Sequence, residues 1–196
     1  MHISIRYVLF SFISICFVAC RSSEVYTPKP RGFNRIDLPK QNYIKMEEQH
    51  PYSFEYSEHA VIEPDTFGQA EPDWIIVHYP ELKSRIQFTY KPLNGNLSKL
   101  TQHIDDAYKL AAKHHVKATS QEERVVRLNN GNQAVLINLE GEVPSHFQFY
   151  ITDTSQHYLR GAVYLMEPTL NDSLRPLINY LKDDCMHILE TLTWNK

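Results

Sequence analysis

RVVRLNNGNQAVLINLEG, residues 124–141, decides the fold of this chain. Two apolar runs, Arg124–Leu128 and Gln133–Leu139, flank Asn129-Asn130-Gly131-Asn132. An Asn-Gly pair tolerates the positive φ that a tight turn between antiparallel strands demands, so the stretch predicts a hairpin. A second pair follows at SHFQFYITDTSQHYLRGAVYLM, residues 145–166. Its first half alternates through Phe147, Phe149 and Ile151. Its second half, across Thr154-Ser155, sets Tyr158, Ala162, Tyr164 and Met166 on one side. Four strands joined by short turns make an antiparallel sheet.

Upstream, Asn96 offers a side-chain oxygen to cap a helix. Leu97, Leu100, Ile104, Tyr108 and Ala111 then recur at helical spacing, which predicts an amphipathic helix over 97–115. Before it, Trp74–Tyr79 is a continuous apolar run of the kind buried on both faces, and Arg85–Tyr90 alternates through Ile86, Phe88 and Tyr90. Further back, Tyr52, Phe54 and Tyr56 share one face of a strand, and His59–Glu63 reads as a short one. Residues 64–73, with Pro64, Gly68 and Pro72, read as a loop. At the other end, Asp172 caps a predicted helix running to about Leu192, its stripe being Leu174, Leu177, Ile178, Leu181, Cys185, Ile188, Leu189 and Leu192. The order is strands, helix, four strands, helix, with no regular βαβ repeat. It predicts an α+β domain: a largely antiparallel sheet covered by two main helices. In element order this resembles the α/β/α sandwich of the PsbP/Mog1-like fold.

Composition agrees. Charged residues are 22% and hydrophobic residues 42%, too apolar for disorder, and aromatics at 12% suit a pleated surface. The whole chain carries −3; losing residues 1–19 would remove one arginine and no acid, giving −4. An acidic chain lacks the electrostatic footprint for phosphates, so nucleic acid is excluded as a partner.

The N-terminus carries the most direct functional signal. His2 and Arg6 precede the uncharged run Tyr7–Ala19, about 13 residues, too short for a bilayer core of roughly 30 Å but right for a signal h-region. It ends in Phe17-Val18-Ala19-Cys20, the pattern of a bacterial lipobox with Phe in place of the usual Leu, and a polar, proline-bearing stretch follows. The expectation is cleavage before Cys20 and acylation (palmitate or a related chain) of that cysteine. Two other readings stand beside it: ordinary signal cleavage leaving Cys20 a free thiol, and a retained transmembrane helix. The chain thus divides into a signal peptide at 1–19, a lipidated N-terminus with tether and entry segment at 20–50, and one globular domain at 51–196.

Chemistry is not written into the rest. Once Cys16 leaves and Cys20 is acylated, Cys185 has no disulfide partner, and its place in the helical stripe makes it a core residue. Ten histidines invite a metal, but there is no H-E-x-x-H; adjacent His114 and His115 face different ways, and His78 and His146 lie on separate strands without a nearby carboxylate pattern. No nucleophile elbow, P-loop or dinucleotide motif is present. Glu122-Glu123 and Asp183-Asp184 are expected on solvated faces. No catalytic residue, metal or cofactor is assigned. Asp172-Ser173-Leu174 matches an O-glycosylation pattern of Bacteroidetes exported proteins, although a helix cap explains Asp172 equally.

Several pieces, taken in order, resemble the GldD gliding-motility lipoproteins of Bacteroidetes: Pro28-Lys29-Pro30-Arg31-Gly32-Phe33 with Arg35-Ile36-Asp37-Leu38-Pro39; Phe88-Thr89-Tyr90-Lys91-Pro92; Phe147-Gln148-Phe149-Tyr150-Ile151-Thr152-Asp153; and Tyr180-Leu181-Lys182-Asp183-Asp184 through Leu189-Glu190-Thr191-Leu192-Thr193-Trp194. The resemblance implies a non-enzymatic accessory lipoprotein needed for gliding and for type IX protein secretion, with protein components of that machinery as partners. Of functional residues only Cys20 carries over. Arg21-Ser22-Ser23 lacks the acidic run linked to surface export, so the domain is expected to face the periplasm from either membrane. Such a scaffold predicts exposed contact side chains, with Phe33, Ile36 and Trp194 as candidates. The alternative is a ligand-binding lipoprotein with a Tyr- and Phe-lined pocket between sheet and helix; a third reading is an envelope hydrolase whose site is not legible.

Overall fold

The computed structural model describes residues 36–113, 117–166 and 174–195. The elements are β1 Tyr43–Lys45, β2 Tyr52–Ser53, β3 Glu55–Ser57, β4 Val61–Pro64, β5 Ile75–Tyr79, β6 Ser84–Pro92, α1 Leu97–Ala112, β7 Ala118–Arg127, β8 Gln133–Gly141, β9 Phe147–Thr152, β10 His157–Leu165, α2 Arg175–Thr191 and β11 Thr193–Trp194. Seven strands form one sheet in the order β4-β5-β6-β10-β9-β8-β7, antiparallel throughout. Two small ribbons, β1-β3 and β11-β2, accompany it.

Alternation along each strand separates the two faces. Phe88, Phe147, Phe149, Ile151, Leu159 and Val163 join α2, Tyr52 of β2 and the adjacent Phe54 in the main core. Tyr150 and Tyr158 pack with Ala107 of α1 on the opposite face, and Ile137 and Leu139 with Ala111. The result is three layers, helix–sheet–helix, the architecture expected of the α+β reading. Burying one large apolar side chain contributes about 1.5–3 kcal/mol, so the main core supplies most of the stability.

Local chemistry fixes the ends. Asn96 caps α1 as its position predicts, its Oδ1 accepting the N–H of Ser98 (2.9 Å) and Lys99 (3.2 Å). In the turn after β7, Asn130 reaches across to α2, donating from Nδ2 to the carbonyls of Leu189 (2.9 Å) and Glu190 (3.0 Å). Carbonyls at a helix end have no partner within the helix, so the hairpin turn satisfies what α2 leaves open. On β10, Gly161 is directly opposite Phe149, whose ring lies against it; a Cβ there would stand 2.2 Å from Phe149 Cζ.

Several sequence expectations are corrected. Leu97 is 67% exposed, and the buried side of α1 is carried by Ala107 and Ala111. The predicted strand through Tyr52, Phe54 and Tyr56 breaks into β2 and β3, because the two halves pair with different partners. Strand β5 is buried on one face only; Ile76 and His78 are half-exposed, because the α1 layer lies against β8, β9 and β10 rather than this end of the sheet. Helix α2 begins at Arg175 after Leu174, which makes no side-chain cap, and Asp172 falls outside the described residues.

Candidate functional site

Helix α2 presents Leu177, Leu181 and Ile188 to the core, and at spacings of 3.6-residue periodicity Asp184 falls in the same row. Asp184 is fully buried, which corrects the expectation of a solvated face; its neighbour Asp183, about a hundred degrees round the helix, is exposed. The carboxylate is held from three sides. Tyr79 Oη on β5 donates to Oδ2 (2.9 Å), while Tyr43 Oη on β1 (2.9 Å) and Gln41 Nε2 (3.0 Å) donate to Oδ1. Gln41 also donates to the Tyr180 carbonyl (3.3 Å).

Burial pushes the Asp184 carboxyl above the usual carboxylate range, and the bonds from Tyr79, Tyr43 and Gln41 pull the other way. Burial likewise raises the Tyr79 hydroxyl, with the nearby Asp184 charge adding to it, so this phenol stays a donor. Around the cluster, the Tyr43 ring stacks on His187 with centroids 3.6 Å apart, and His187 Nε2 lies 2.8 Å from Glu55 Oε2 on β3. Thr191 Oγ1 accepts the Glu55 N–H (3.0 Å). Gln41 and Tyr43 hold the segment at β1 to α2, and Tyr79 holds β5 to it. The arrangement is a clasp on the segment that carries β1, with the Asp184 carboxyl fully buried inside it.

A second feature is an open concavity of about 380 Å³ at the end of β6 and β10, against β11. Tyr90, His157 and Trp194 supply its aromatic wall and Asp153, Asn94 and Asn195 its polar groups. His157 stacks on Trp194, centroids 4.9 Å apart and nearly parallel, and its Nδ1 lies 2.8 Å from Tyr90 Oη. Burial would raise the Asp153 carboxyl, but the backbone N–H groups of His157, Gln156 and Ser155, all bonded to Oδ1, hold it below the usual range. This hollow lies at a sheet end, not between sheet and helix where a pocket was expected.

The residues singled out in the sequence scatter. Cys20, Phe33, His114, His115 and Ser173 lie outside the described residues. Ile36 and Trp194 are half-buried against the main core, so neither is a free contact side chain. His78 does have a carboxylate neighbour, Glu63 at 3.1 Å across β4 and β5. His146 is buried. Glu122 pairs with Arg124 (2.7 Å), and Glu123 accepts from Tyr108 Oη (2.6 Å). Cys185 is fully buried, and that burial pushes its thiol well up. Among the described residues no three His, Cys, Asp or Glu side chains gather to hold a metal ion. Sequence reasoning missed the large apolar side chains left exposed: Phe67 at 73% and Val125 at 67%.

Comparison with known proteins gives a family. A family model described as gliding motility lipoprotein GldD matches residues 23–194. No curated protein matches the chain. Among solved structures it is similar to the solution structure of cyanobacterial PsbP (CyanoP) from Synechocystis, at 8% identity and a TM-score of 0.43, over 83% of this chain and 98% of that one.

Proposed function

The chain belongs to the gliding motility lipoprotein GldD family, and from that premise we propose that it is a periplasm-facing accessory protein, held to a membrane by acyl chains on Cys20, that type IX secretion requires and that does no catalysis of its own. The observation that carries this reading is the family match, which begins at residue 23, just after the lipobox cysteine, and runs to 194.

The geometry supports it in two ways. Among the described residues no helix is long and apolar enough to cross a membrane, and in this reading attachment falls to Cys20. One acyl chain binds weakly and reversibly, whereas the two or three of a mature lipoprotein hold firmly. The clasp then gives the tether a fixed end: Gln41 and Tyr43 tie the entry segment to α2, so force or position at the membrane reaches the domain through a hydrogen-bonded contact. From Cys20 to Ile36 a fully extended chain would reach about 55 Å. The one buried acid described in the clasp is fully engaged in structural bonds, which favours a scaffold over an enzyme.

A second reading, a ligand-binding lipoprotein, has the aromatic hollow of Tyr90, His157 and Trp194 in its favour. Cells fed a labelled fatty acid separate anchor from role. Label is expected on the wild type and none on Cys20→Ser, with the variant leaving the membrane fraction and type IX cargo disappearing from the medium. Cargo secreted normally by an unanchored variant would remove the proposal.

A further inference from the structure

The sheet ends differently on its two sides. Strand β4 is four residues long and carries Pro64, which has no N–H to offer. Strand β7 is ten residues long, without proline or glycine, and among the described residues no strand pairs with its outer edge. Open edges of that length are templates for another strand, and folded proteins normally blunt them with charges. Here the charges are arranged to complement themselves.

Glu123, Val125 and Arg127 share the face that α1 covers further in: Glu123 bonds to Tyr108 of α1, and Val125 is paired with Val135, which packs on that side. Val125 is 67% exposed, and Arg127 is exposed with no ion-pair partner among the described residues. Read antiparallel to itself, Glu-x-Val-x-Arg is complementary. A two-fold axis through Val125 sets Val125 against Val125 and each Glu123 against an Arg127. Centring the axis on Arg124 or Arg127 puts like charges opposite, which is destabilising. Centring it on Glu123 sets two carboxylates against each other even as Glu122 meets Arg124, whereas the Val125 register has opposite-charge pairs and no like-charge one. Centring it on Val126 brings no opposite charges together.

We infer that β7 pairs edge to edge with the β7 of a second copy of this chain, in the register centred on Val125, joining the two seven-stranded sheets into one. The symmetry fits a membrane protein. A two-fold axis normal to the sheet keeps each face on its own side, so the two entry segments, both clasped on the α2 face, emerge together. The shared exit and the confinement of both copies to one membrane rest on the lipid-anchor reading; the choice of edge and register does not. Strand pairing over six or so residues is weak in dilute solution, and confinement of both copies to one membrane raises their effective concentration.

Directly opposed residues bring their Cβ atoms to about 4.5–5.5 Å, near the reach of a disulfide. The test is therefore oxidation, with copper phenanthroline, of native membranes carrying full-length Val125→Cys. A disulfide-linked species of twice the mass is expected, beyond any in wild type, where Cys185 is fully buried and only an unacylated Cys20 could link. Copies bearing Glu123→Cys and Arg127→Cys, differently tagged, should link to each other. In the Val125→Cys background, Arg127→Glu should abolish the link and Glu123→Arg added to it should restore it. Absence of the Val125→Cys dimer would overturn the inference, as would a link to a protein of different mass, which would mean that a partner's strand occupies the edge. Fractionation of the same samples reads the anchor separately, so failure of one reading is not mistaken for failure of the other.

Discussion

Replacing Asp184 with alanine removes the acceptor that three donors share, and the structure sets the size of the effect. Tyr79 is fully buried, so its hydroxyl has no route to water; leaving it orphaned costs about 1–3 kcal/mol. Gln41 and Tyr43 are half-exposed and can be rehydrated, so each loses only the net value of its bond, about 0.5–1.5 kcal/mol. Relief from holding a carboxyl in the core returns part of this. The net expectation is a loss of about 2–4 kcal/mol, or about 5–15 °C in Tm for a chain of this size. Urea denaturation followed by the emission of Trp74 and Trp194 measures it. A cycle sharpens the test. In wild type, Tyr79→Phe should cost about 1 kcal/mol, whereas in Asp184→Ala it should stabilise, because it removes the orphaned hydroxyl. Hydrogen exchange should show β1 amides opening first in Asp184→Ala. A variant within about 0.5 kcal/mol of wild type, with β1 still protected and no sign change in the cycle, would refute the clasp.

Three further outcomes are expected, at Asp184, Gly161 and Asn130. Because burial raises the Asp184 carboxyl, the folded chain holds this proton at pH values where the unfolded chain has released it; the group's contribution is full below the unfolded value of about 4 and is lost as pH rises through the folded value, so wild type should lose stability relative to Asp184→Asn over that window in paired urea titrations. Gly161→Ala drives a methyl into the Phe149 ring and should cost about 1–3 kcal/mol in thermal denaturation, with Phe149→Leu recovering part of it in the same background. Asn130→Ala uncaps the end of α2 and should cost about 1–2 kcal/mol, with faster exchange in its last turn as the local readout.

The sheet was legible where chemistry is local. The Asn-Gly turn, the alternation through Phe147, Phe149 and Ile151, and Asn96 before an amphipathic run each require only neighbours in sequence, and each strand or cap is found where the pattern puts it. What escaped was non-local. Strand β1 exists because Tyr43–Lys45 meets Glu55–Ser57, and its three residues carry no period of their own. Thr119 to Glu123 of β7 are exposed on both faces, so no alternation marks them. Gly161 gives no hint of the Phe149 ring that requires it. Asp184 is the instructive miss. Its place four residues before Ile188 and three after Leu181 put it in the apolar row of α2, and position in that row outweighed its charge once Tyr43, Tyr79 and Gln41 supplied donors. The carboxylate was visible; its partners, Gln41 before β1, Tyr43 on β1 and Tyr79 on β5, were not.

The hold of Gln41 and Tyr43 on α2 bears on function if the chain works as proposed above. The direct measurement is type IX cargo in the medium, alongside gliding on agar, for a clean deletion strain complemented with wild type or with Cys20→Ser. Both should be lost in the deletion, recovered with wild type, and not recovered with the unanchored variant. Normal secretion and spreading in the deletion strain would contradict it.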